Sequence, residues 1–116
     1  MTTPTLIQHF LEGSARQWPD KIALVHEDLR ATYGEINAMA NRLAWYLLQK
    51  GVAPGDRVVL LLENGLEYVV SYYGALKAGA VLVPLNTELK PLNIQSVLQE
   101  LEAKCLISSR KFERTL

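Results

Sequence analysis

The sequence predicts an α/β fold: a parallel-stranded β-α-β-α-β core preceded by a helix, a β-hairpin and a second helix. Three observations carry this. Five successive apolar residues, Val58 to Leu62, follow Arg57, and a second apolar run spans Ala80 to Leu85. Between them Leu66, Val69, Val70, Tyr73 and Leu76 recur at helical spacing. A strand, a crossover helix and a parallel strand produce this pattern.

The 116 residues fit one domain, and 49% apolar content is enough for a core. Twelve basic and twelve acidic residues cancel, with no long run of either sign. That excludes a nucleic-acid arm or a basic tail, which need concentrated Lys and Arg. Cys105 is the only cysteine, so no internal disulfide forms. With no basic segment leading into an apolar core at the amino terminus, a reducing cytoplasm is expected. The longest unbroken apolar run is far short of the ~20 residues of a membrane span.

Each element has a local cause. Pro4 to Trp18 reads as a helix, with Thr3 as N-cap and Pro4 in the first position. Leu6, Ile7, Phe10 and Leu11 form its apolar stripe, Trp18 extends it, and Pro19-Asp20 stops it. Lys21 to His26 and Arg30 to Thr32 read as short strands around a polar turn, Glu27-Asp28-Leu29. Thr32 and Glu35 have the spacing of a capping box. The helix they open runs to about Lys50, with Ile36, Met39, Ala40, Leu43 and Leu47 on one face. Gly51 ends it in a left-handed conformation. Ala53-Pro54-Gly55-Asp56 has type II turn chemistry and delivers the chain into the first core strand.

That strand, Arg57 to Leu62, does not alternate, so it is expected to be covered on both faces. Asn64 is placed to cap the next helix, with Glu67 in the reciprocal position. Lys77 suits the helix dipole and Gly79 ends the helix. Pro84 cannot donate to a ladder and belongs at a strand end or on an unpaired side. Asn86 to Lys90 reads as a loop. Pro91 starts a helix buried through Ile94, Val97, Leu98 and Leu101. Lys104 to Ser108 is a third strand, and Arg110 to Leu116 reads as the start of a further helix. Right-handed crossovers follow from the parallel order.

No catalytic constellation is visible. The glycines match neither the phosphate loop nor the dinucleotide fingerprint, and no Gly-x-Ser-x-Gly elbow occurs. A single cysteine permits no zinc-type spacing. His9 and His26 are isolated and read as surface histidines. Cys105 reads as a small buried hydrophobe, since no partner base is evident. Tyr68, Tyr72 and Tyr73 share one helix and read as core and rim packing, with a ligand pocket as the sharper alternative. Glu63 and Asn64 sit at the carboxyl end of a parallel strand, where ligands of α/β sheets bind; helix capping alone accounts for Asn64. No residue is therefore assigned a catalytic, cofactor-binding or metal-binding role.

The ordered motifs nevertheless resemble a family. Thr32 to Ile36 reads TYGEI, and Leu76 to Asn86 reads LKAGAVLVPLN. Between and before them lie GVAPGDRV from Gly51 to Val58, LEN from Leu62 to Asn64, and WPDKIAL from Trp18 to Leu24. Together, from about Leu6 to Ser109, they resemble the amino-terminal portion of the AMP-forming adenylating enzymes. These are the acyl-CoA synthetases, luciferases and adenylation domains of peptide synthetases. The ending Val-Pro-Leu-Asn is more similar to acyl- and aryl-CoA ligases than to peptide-synthetase domains, which tend to end in Pro-Leu-Asp.

The resemblance implies a two-step reaction in a larger parent protein. A carboxylate attacks the α-phosphate of ATP, and a thiol, usually of coenzyme A, then displaces AMP. It implies ATP, Mg2+ and coenzyme A as cofactors of the parent and a small carboxylic acid as substrate. The family's phosphate loop, its ribose-binding Asp and its mobile-domain lysine all belong downstream of Leu116. Residues 1–116 are then a single partial domain, a fragment inactive alone. Such a fragment is expected to self-associate through an exposed sheet edge. A stand-alone interaction module is the alternative from another class. A flavodoxin-like nucleotide binder is weaker, because no phosphate loop follows the first core strand.

Overall fold

A computed structural model describes residues 7–88 and 91–109. The expectations placed on Thr3, Pro4, Leu6, Leu89-Lys90 and Arg110 to Leu116 lie outside the described residues. Nine elements follow in order: α1 (Ile7–Gln17), β1 (Ile22–His26), β2 (Leu29–Thr32), α2 (Tyr33–Gln49), β3 (Arg57–Leu61), α3 (Leu66–Lys77), β4 (Val81–Pro84), α4 (Pro91–Leu101) and β5 (Cys105–Ser108). The last three strands form one parallel sheet in the order β4-β3-β5. β1 and β2 form a separate antiparallel hairpin.

β3 is the centre of the sheet. Val58, Val59, Leu60 and Leu61 are all fully buried. Val58 and Leu60 meet Leu47 of α2 and Ala75 of α3 on one face, while Leu61 meets Ile94 of α4 on the other. The unbroken apolar run is thus the mark of a strand covered on both sides. Pro84 closes β4, opposite Leu60, where no further ladder donor is needed.

Helices α2, α3 and α4 end in the same way. Val52 N–H donates to Leu47 C=O and Gly51 N–H to Leu48 C=O; Ala80 to Ala75 and Gly79 to Leu76 repeat the pattern. Ala103 to Leu98 and Glu102 to Gln99 repeat it after α4. Each is a Schellman cap, with a left-handed residue closing the helix. Gly51 and Gly79 take that conformation freely; Glu102, at φ 51, takes it against its Cβ. The Ala53–Asp56 turn closes as expected, with Asp56 N–H on Ala53 C=O and Gly55 at φ 88. The Asp56 carboxylate also accepts from Ala53 N–H at 2.8 Å. The capping box is present: Glu35 N–H donates to Thr32 Oγ1, and Thr32 N–H donates to Glu35 Oε1.

Three expectations need correction. On α1 the buried positions are Leu11 and Ala15, whereas Ile7, Phe10 and Trp18 are exposed. α1 leans on α2 and α3 through one narrow face, so half its apolar stripe has nothing to cover it among the described residues. The hairpin loop is Glu27-Asp28 alone, with Leu29 already paired to His26. Glu27 takes φ 55, which tightens the loop to two residues. Asn64 does not cap α3. The N-cap is Gly65, at φ 152 and ψ −167, with no side-chain hydrogen bond. That backbone region is essentially reserved for glycine. It turns the chain out of β3 and moves the helix start one residue past the expected cap.

Candidate functional site

The carboxyl ends of the three parallel strands gather the polar residues that leave the sheet. β3 leads into Leu62-Glu63-Asn64, β4 into Leu85-Asn86-Thr87, and β5 into Ser109. Parallel register aligns these exits on one edge. Leu85 N–H donates to Leu60 C=O at 2.8 Å, and Ser108 Oγ donates to Leu61 C=O at 3.0 Å. Asn86 Oδ1 accepts from Glu88 N–H at 2.8 Å, an Asx turn that folds the loop after β4.

Two hollows open at this edge and share Leu62, Glu63 and Asn64. One, of about 420 Å³, adds Tyr68, Leu85, Asn86 and Thr87. The other, of about 350 Å³, adds Glu67 and Ser109. The sequence had pointed to Glu63 and Asn64, and the fold joins to them Asn86 and Thr87 from the neighbouring strand and Tyr68 from α3. The hairpin also brings His26 close: a Cβ placed on Gly65 would stand 3.9 Å from His26 Cδ2. Nothing local in the sequence signals that approach, which depends on how the hairpin docks.

Amides, hydroxyls and carboxylates line the edge, and these can orient a polar ligand by hydrogen bonds. Neither hollow is lined by Lys, Arg or His, so neither offers a cation to a triphosphate. Among the described residues no cluster of three His, Cys, Asp or Glu side chains could hold a metal ion. The lining therefore does not fit ATP phosphates or Mg2+ by itself.

The remaining candidates are structural. Burial pushes the Cys105 thiol up, away from the reactive thiolate, and Cys105 packs against the main core. Burial also raises Tyr73, with Tyr72 and Tyr33 adding to it. Tyr68 and Tyr72 stack at 6.3 Å between centroids, and Tyr72 meets Tyr73 edge-on at 5.5 Å. The tyrosines are mainly packing, with Tyr68 alone reaching the polar edge. His9 and His26 are both exposed and lie on separate elements.

Residues 11–116 match the family model described as AMP-binding enzyme. The long-chain-fatty-acid–CoA ligase FadD13 of Mycobacterium tuberculosis is 45% identical over 80 residues, 69% of this chain and 16% of that protein. Tyrocidine synthase 1 of Brevibacillus parabrevis is 36% identical over 104 residues, 90% of this chain and 10% of that protein. Among solved structures, the N-terminal domain of FACL13 from Mycobacterium tuberculosis superposes with a TM-score of 0.91 at 37% identity. That match covers 97% of this chain and 29% of the solved one. The chain thus spans a small part of the length of these relatives.

Proposed function

The chain belongs to the AMP-binding enzyme family, and from that premise we propose that it is the amino-terminal structural part of an ATP-dependent, AMP-forming acyl-CoA ligase. In the parent protein a fatty or aryl carboxylate attacks the α-phosphorus of ATP and expels pyrophosphate. The thiol of coenzyme A then attacks the acyl carbon and displaces AMP. The observation that carries the reading is the 45% identity to a long-chain-fatty-acid–CoA ligase. The Pro84-Leu85-Asn86 ending supports the same class.

Within that enzyme residues 1–116 form one partial domain, whose role is to build the sheet and set its carboxyl edge. The groups that hold ATP, Mg2+ and coenzyme A belong to other parts of the parent, because the lining here carries no cation. The 116 residues alone are inactive and associate with one another through the outer edge of β4. The parent works in the cytoplasm, in keeping with a single, unpaired cysteine.

Pyrophosphate release and acyl-CoA formation, measured with ATP and a panel of fatty and aryl acids, test this. The parent should release pyrophosphate and form acyl-CoA, while the isolated chain should do neither. Turnover by the isolated chain would overturn the scaffold role. A second reading, the adenylation domain of a peptide synthetase, has the 36% identity to tyrocidine synthase 1 behind it. Pyrophosphate release with amino acids, and transfer to a carrier-protein thiol instead of coenzyme A, would favour it.

A further inference from the structure

The last two turns of α2 hold Trp45, Tyr46 and Leu48 outward, 64%, 53% and 48% exposed. At about 100° per residue, Leu48 and Tyr46 flank Trp45 on opposite sides of the outer helix face. The charge around them has one sign. From Ile36 to Gly55 the chain carries Arg42 and Lys50 and no carboxylate. Lys104 reaches the same end of α2, its Nζ 3.9 Å from where a Cβ on Gly51 would stand. Lys50 Nζ lies 5.5 Å from the centroid of the Tyr46 ring.

Aromatic rings with a polar tip and cations on long apolar stems suit the boundary between lipid headgroups and acyl chains. Clustered cations add attraction to anionic headgroups. We propose that this face of α2 seats the protein on an anionic lipid surface. Trp45 and Leu48 enter the headgroup boundary, and Arg42, Lys50 and Lys104 meet lipid phosphates. The helix lies along the surface, since no helix among the described residues is long and apolar enough to cross a membrane. A convex strip with its largest ring at the centre matches a fluid surface better than a preformed protein groove. The proposal does not depend on the ligase reading and concerns a face away from the sheet's carboxyl edge.

The test uses the whole protein that carries this chain, in flotation with vesicles of phosphatidylcholine alone or with added phosphatidylserine. The protein should float with the anionic vesicles. Trp45→Ser with Leu48→Ser should lower the partition coefficient by at least about tenfold, from the apolar area lost. Arg42→Glu with Lys50→Glu should remove the preference for anionic over neutral vesicles. These side chains are exposed, so circular dichroism and soluble pyrophosphate release should match the unsubstituted protein. Three results would overturn the proposal: no flotation, flotation unchanged in both variants, or concentration-dependent dimerisation lost in the Trp45 variant. The last would assign the face to a second protein chain.

Discussion

Single residues already separate which contacts hold this chain together. Lys77 Nζ meets Glu12 Oε1 at 2.9 Å, with the lysine side chain 8% exposed and the glutamate 36%. The Lys77 hydrogen bond holds the Glu12 carboxyl below its ordinary range, against burial, which pushes it up. Glu12→Gln leaves a covered ammonium without its counter-charge, whereas Lys77→Met leaves a carboxylate that water reaches. Glu12→Gln should therefore cost more, about 2 kcal/mol after discounting for exposure, and urea titration of both variants checks the order. A depressed carboxyl stabilises above its unfolded-state pKa. That contribution should fade as pH falls through the lower folded-state value, and it should be missing from the acid titration of Glu12→Gln. Two glycines give opposite signs. A Cβ on Gly74 would stand 2.8 Å from Leu43 Cδ2 and 3.0 Å from Leu43 Cβ, so Gly74→Ala should cost about 1–3 kcal/mol. Gly13, inside α1 with nothing within 4 Å, should gain up to about 1 kcal/mol as Ala. Thermal melts of the pair check the contrast.

At the scale of elements, helix ends and the central strand decide the fold. Glu102 alone closes its helix from the left-handed region without being glycine. Glu102→Gly should raise stability by about 0.5 kcal/mol, strain relief partly offset by the freer unfolded chain. Thr32→Ala removes a cap and should cost about 1 kcal/mol; denaturant midpoints measure both. The same elements show what was legible in the sequence. The Thr32–Glu35 box could be read because its partners lie three residues apart, and β3 could be read because burial on both faces leaves an unbroken apolar run. The stripe of α1 was read too generously, since periodicity reports which face is apolar and not whether anything covers it. The Asn64 cap failed because Gly65 reaches backbone that Asn cannot, a choice invisible to a pattern of side chains. At the carboxyl edge Glu63 was legible from its strand. Thr87, Tyr68 and His26 joined it only through register and docking, which act between distant segments.

For the molecule as a whole, the sheet ends at β4, which pairs only with β3 among the described residues and exposes Val81 on its surface. Open edges template association. Light scattering of the isolated chain should show mass rising with concentration, and Val81→Lys should suppress the rise. The larger consequence concerns the division of labour in the parent, where this portion builds a frame and supplies no reacting group. The combined variant Glu63→Ala, Asn64→Ala, Tyr68→Phe and Thr87→Ala in the parent ligase addresses that division directly. Its kcat for acyl-adenylate formation should stay within about tenfold of the unsubstituted enzyme, with KM free to move, since only ground-state positioning is lost. A fall in kcat of about a thousandfold or more in a variant that still folds would contradict this and place a chemical group on the sheet edge.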